Sequence, residues 1–167
     1  MTYSNEVHQT ATSSGLAQLR DASGTTPGVG AVIQWATVDT FHGSSVCSVL
    51  SGVITLPVGY YYLLEGVLGC LSTTNVWDMH HQFYDENASA YVGTKGYMSG
   101  DLGNAGEHLD AFSMDDCARL WVDATSGAAS ISLREQALVN GPVSHFDSNA
   151  NGRRFTGYSR LLVWRFD

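Results

Sequence analysis

The chain has 167 residues, 44% of them apolar and only 14% charged, with 18 glycines and a formal net charge of −8. That length fits one domain whose core needs no covalent staples, and sparse charge with abundant Gly, Ser and Thr suits short strands and tight turns better than solvated helices. The acidic balance speaks against a phosphate-neutralising face and against an anionic membrane surface, so neither nucleic acid nor membrane is expected as a partner.

Residues 1–30 are rich in Ser, Thr and Gly and poor in large apolar side chains. They read as an extended N-terminal arm, with Val7, Leu16 and Leu19 as its apolar anchors. Such a segment is either a free tail or orders only against a partner. Strands are expected from Ala31 onward. Residues 31–38 form the first, with Ile33 and Trp35 on one face. Residues 46–56 read as one strand, bent or bulged at Gly52.

The stretch from Gly59 to Leu71, GYYYLLEGVLGCL, organises the rest. Successive strand residues face opposite ways. Tyr60, Tyr62, Leu64, Leu68 and Cys70 then share one face; Tyr61, Leu63, Glu65, Val67 and Leu71 share the other. Both faces are apolar, which implies burial on two sides. One cover is the domain core and the other is a partner subunit.

Residues 75–83 alternate, with Trp77, Met79, His81 and Phe83 opposite Asp78, His80 and Gln82. Residues 90–98 make a weaker strand, and 101–110 a polar loop. Residues 117–122 and 128–134 pair as a hairpin across the turn at Thr125, Ser126 and Gly127. Residues 141–154 form a long loop. The last strand, 158–166, is again apolar on both sides, with Tyr158, Leu162, Trp164 and Phe166 sharing a face. No window shows a helical period. About eight short strands with Gly-rich turns mean an all-β sandwich of jelly-roll type.

Cys47, Cys70 and Cys117 are odd in number and widely spaced. Free thiols in a chain made in a reducing cytoplasm are expected. The N-terminus carries no charged lead followed by an apolar segment, so no signal peptide is expected. No apolar run reaches the roughly 18 residues of a membrane span.

The run Leu56-Pro57-Val58-Gly59-Tyr60-Tyr61-Tyr62-Leu63 resembles the Pro-Gly-x-Tyr-aromatic strand of C1q- and tumour-necrosis-factor-like jelly rolls. The strands around Trp121 and at 130–134, with the closing Ser159-Arg160-Leu161-Leu162-Val163-Trp164, are similar to the end of that domain in tailed-bacteriophage virion proteins. The resemblance covers roughly residues 31–167. One extra residue between Pro57 and Gly59 departs from the C1q pattern. The resemblance implies a homotrimer with the C-terminal strand near the threefold axis. Tyr60, Tyr62, Leu64, Tyr158, Leu162, Trp164 and Phe166 are the interface residues on this reading.

Chemistry is harder to find. Asp147-x-Asn149-x-Asn151-Gly152 matches half of an EF-hand loop, but Tyr158 stands where the bidentate Glu belongs. Asp, Asn and Gly make such turns without calcium. His80 and His81 point to opposite faces and cannot share one metal. His80 with Asp78 is a possible acid–base pair, weighed against a plain solvated face. Asp101, Glu107, Asp110, Asp115 and Asp116 read as a solvated acidic region. No nucleophile elbow, phosphate loop or dinucleotide fingerprint is present. No cofactor, metal or catalytic residue is expected.

The expectation is therefore a structural virion protein, a trimeric capsid decoration (cement) protein that binds the major capsid protein at the virion surface. The alternatives are a receptor-binding tip of a phage tail or head fibre, and, less favoured, a carbohydrate-active enzyme, which would need paired carboxylates in a cleft.

Overall fold

The computed structural model describes residues 13–23, 29–68, 70–72, 76–101, 117–139, 143–145 and 159–167. Those residues hold twelve strands: β1 (Ser13–Ser23), β2 (Gln34–His42), β3 (Ser48–Leu50), β4 (Val53–Leu56), β5 (Tyr61–Val67), β6 (Cys70–Ser72), β7 (Val76–Asp85), β8 (Ala90–Asp101), β9 (Ala118–Asp123), β10 (Ala129–Val139), β11 (Val143–His145) and β12 (Arg160–Phe166). One sheet has the order β2-β1-β12-β5-β9 and a second the order β3-β4-β10-β7-β8. A short pair, β11-β6, stands apart.

All neighbours are antiparallel. Eight of the strands pair as β1 with β12, β4 with β10, β5 with β9 and β7 with β8. The outermost pair in sequence encloses the next, and so inward. That nesting wraps a long hairpin across two sheets, which is the jelly-roll arrangement. The fold is an all-β jelly-roll sandwich, as the strand count and turn chemistry predict.

Alternation builds the core. On β5, Tyr62 and Leu64 are fully buried, and Leu161 and Val163 of β12 lie beside them. Leu19 of β1, Ile54 and Leu56 of β4, Phe83 of β7 and Leu133 of β10 close the same cluster. Leu68, just past β5, joins it. A sandwich interior of this kind is two inward faces interdigitated.

The first expectation to fall is the arm. Residues 13–23 are β1, an interior strand of the first sheet, paired on one side with β2 and on the other with β12. Leu19 and Ala17 are buried in the core. Leu19 is thus a core residue, and Leu16 belongs to a strand rather than to a detached anchor. The domain extends at least as far back as Ser13, not to residue 31. Val7 lies outside the described residues.

The second concerns residues 46–56. The chain does not bend at Gly52 but reverses there. Leu50 pairs with Val53, and Ser51 and Gly52 both have positive φ, 51° and 79°. Two such residues make the mirror-image turn that suits hairpins. A Cβ at Gly52 would stand 2.4 Å from the carbonyl oxygen of Ile33. Backbone crowding and a left-handed φ together require glycine.

The rim between the sheets is tied at β8. The β7–β8 register shifts between His81 and Phe83, and opposite that shift Gly93 has φ 73°. Thr94 then faces β9: its hydroxyl accepts from the Arg119 backbone N–H at 2.9 Å and donates to the Arg119 carbonyl at 3.4 Å. This bulge joins two edges that would otherwise be open.

Candidate functional site

The outward face of β1, β12, β5 and β9 is the most unusual surface among the described residues. Register places Leu16 opposite Trp164, Trp164 opposite Leu63, and Leu63 opposite Trp121. These four side chains form one row across four strands. A second row sets Phe166 beside Tyr61. Trp121 stacks at a tilt on Phe166, with centroids 5.6 Å apart. Trp121 remains 55% exposed and Tyr61 46%. Isolated exposed apolar residues are ordinary, but a contiguous apolar face marks an interaction surface.

A row with three polar members runs beside it: Gln18, Glu65 and Arg119, with Leu162 between Gln18 and Glu65 in register. The Glu65 carboxylate accepts from Arg119 Nε at 3.1 Å and from the Trp164 indole N–H at 3.3 Å. A hollow of about 80 Å³ opens here, lined by Glu65, Val67, Cys117, Arg119, Arg160 and Leu162. The Cys117 thiol donates to the Gly66 carbonyl at 3.4 Å, and burial pushes its pKa up. Further along, Arg20 and Asp39 form an ion pair.

Charge distinguishes this face from the rest of the chain. Its described ionic side chains are Arg20, Arg119 and Arg160 against Glu65 and Asp123, and Asp39 of the adjoining β2, ion-paired with Arg20, brings the count to three of each sign. The face is neutral, whereas the whole chain carries −8.

The interface residues expected from the sequence divide. Leu162, Trp164 and Phe166 lie on this outward face and are partly exposed. Tyr62 and Leu64 do not: both point into the sandwich at 0% exposure and cannot meet a partner. The Tyr62 hydroxyl donates to the Pro57 carbonyl at 3.0 Å, and burial raises its pKa to about 12. Tyr60 lies beneath the Arg165 guanidinium, 4.4 Å from its ring centroid, and packs against the core. The outward residues of this strand are Tyr61 and Leu63. Alternation divides the strand correctly, but with both faces apolar it cannot say which one the core takes. Tyr158 lies outside the described residues.

No family model and no curated protein matches this sequence. Among solved structures the chain is similar to Eiger TNF from S. frugiperda. The identity is 11%, the TM-score 0.49, and the alignment covers 91% of this chain and 92% of that one.

The remaining candidates find ordinary places. His80 and His81 do face opposite ways. His80 tilts against Tyr97 on the outside, with centroids 5.0 Å apart, whereas His81 is buried with Nε2 3.2 Å from the Gly66 carbonyl oxygen. Its register partner Glu135 is also fully buried, a polar pair that a reading of β7 alone could not find. The Asp147–Gly152 loop and residues 102–116 lie outside the described residues. Cys47 and Cys117 are free thiols.

On the outside of the second sheet, Glu86 accepts both carboxylate contacts from Arg134 at 2.7 Å and one from the Ser132 hydroxyl at 2.5 Å. Partial burial pushes the Glu86 carboxyl up, but these hydrogen bonds outweigh it and hold its pKa below the ordinary value. Arg134 also caps the Tyr84 ring at 3.7 Å. This cluster fastens the β10–β7 surface and leaves no open aromatic platform at Tyr84.

Proposed function

We propose that this chain is a structural virion protein, a jelly-roll subunit that assembles with copies of itself and decorates a capsid. The observation that carries self-assembly is the outward face of β1, β12, β5 and β9. Two partly exposed rows of Leu, Trp, Tyr and Phe, with Trp121 and Tyr61 the most open, would lose contact with water if a like surface covered them, which is favourable in proportion to apolar area. Neutral charge on that face supports a second copy as the cover, because elsewhere two chains of −8 repel. The resemblance of the tyrosine strand and the closing strand to C1q/TNF-like virion domains supports a homotrimer about β12, with the major capsid protein as the further partner. On this reading no residue is catalytic and no cofactor takes part; the protein acts by burying surface.

Sedimentation equilibrium of the purified chain tests the assembly, with the mass of three chains expected. Co-sedimentation with capsids that lack the protein tests the attachment. Copy number per virion then separates the roles. Hundreds of copies fit decoration, and a handful fit the receptor-binding tip instead. A monomer at all concentrations ends the assembly reading.

A further inference from the structure

The outward face is not apolar throughout, and its polar part has a use. Apolar contact is not directional. A face made only of Leu63, Trp121, Phe166 and their neighbours can slide on a copy of itself and stick in several registers. Glu65 breaks that freedom. Its carboxylate side chain is 25% exposed and that of Arg119 is 51% exposed, so water still reaches both. Covering the pair with an apolar ring of a copy would strip that water and return nothing, which is costly for an ion.

An ionised carboxylate has about four acceptor positions. Arg119 Nε and the Trp164 indole take two of Glu65's. Among the described residues no further donor reaches the carboxylate. Once a copy displaces the water there, its remaining positions need donors placed opposite, and another copy brings guanidinium groups at Arg119 and Arg160 on the same hollow. One polar group inside an apolar seam can therefore select a single arrangement, as a lone Asn does in coiled coils.

We propose that Glu65, held by Arg119 and Trp164, sets the stoichiometry and register in which copies of this chain associate. The inference rests on the self-assembly reading above. It makes Glu65 a specificity residue, whereas Trp121 and Leu63 supply affinity.

Two variants test it, with native mass spectrometry and sedimentation velocity as readouts and a thermal melt as the check on folding. Glu65→Gln keeps the size of the side chain and leaves Arg119 without its counter-charge. It should weaken association by about 30-fold or more, the lower range for breaking one side of an interfacial charge pair. The double replacement Glu65→Met with Arg119→Met removes both charges. It should associate as well as the wild type or better, but as several species instead of one. The signature is a double variant that associates well but in several species. An unpaired Arg119 alone would make the single change the more harmful, but would leave the double variant with one stoichiometry.

If the double variant keeps the single stoichiometry of the wild type, the inference is overturned while self-assembly stands. It is overturned equally if Glu65→Gln associates within about twofold of the wild type, well inside the loss expected for a broken charge pair. That variant decides alone should the double one not fold. If the wild type itself is a monomer, self-assembly fails and this inference fails with it.

Discussion

Replacing Trp121 with Ser separates the two faces of the first sheet. Trp121 is 55% exposed, so with roughly 250 Å² for a whole Trp side chain, about 140 Å² stays open to a partner. At about 25 cal/mol per Å² that area is worth ~3 kcal/mol if a copy covers it fully, or roughly 200-fold in association per subunit. The matching control is Leu64→Ala, at a side chain with no exposure at all. It leaves a cavity and should cost about 2–5 kcal/mol of folding stability, with the association of the folded protein unchanged. The assay is sedimentation velocity over a concentration series, run well below each variant's melting temperature. Trp121→Ser should shift the oligomer–monomer midpoint by two orders of magnitude, and Leu64→Ala should shift the melt. If Leu64→Ala weakens association as much as Trp121→Ser does, the outward face is not the interface. Unchanged association in Trp121→Ser has the same meaning.

A chain beginning at Gly30 lacks β1, which lies between β2 and β12; it should not give a cooperative melt by circular dichroism, and a soluble, cooperatively folding product would refute the strand placement. Glu86 has a lowered pKa, so its share of stability is fully present above the ordinary carboxylate value and is lost as pH falls through the lower folded value. Glu86→Gln should therefore flatten that acid limb in melts taken across the carboxylate range; an acid limb identical to the wild type's would show that the Arg134 contact contributes nothing. Burial raises the thiol of Cys47 to about 11 and raises that of Cys117 as well, so both should react slowly with a thiol reagent near pH 8 in the native state and quickly once denatured. Full labelling of the native protein within seconds would contradict their burial.

Much of the architecture was legible in the residues. The apolar runs at 59–71 and 158–166 announced strands, and the residues at 125–127 announced a turn, but the hairpin expected across that turn does not form. β9 pairs with β5 in the first sheet and β10 with β4 and β7 in the second, so the turn carries the chain from one sheet to the other. Low charge with abundant Gly, Ser and Thr excluded a helical core. What alternation could not do was orient a strand whose two faces are both apolar. In GYYYLLEGV the sets Tyr62/Leu64 and Tyr61/Leu63 are equal by composition. Only the closure of the second sheet, with Phe83 and Leu133 pressing on one side, decides which set is interior. β1 was invisible for a different reason. Its inward residues are Gly15, Ala17 and Leu19, two of them small, and its sequence reads as a linker. A Cβ at Gly15 would meet Val46 at 2.8 Å, so the smallness is a fit to neighbours distant in the chain. Local sequence determined that this protein is made of strands and where most of them run. Which face of the first sheet is open, and which charges stand on it, depended on long-range register, because side-chain direction in a sheet is fixed only once the partners on both sides are in place.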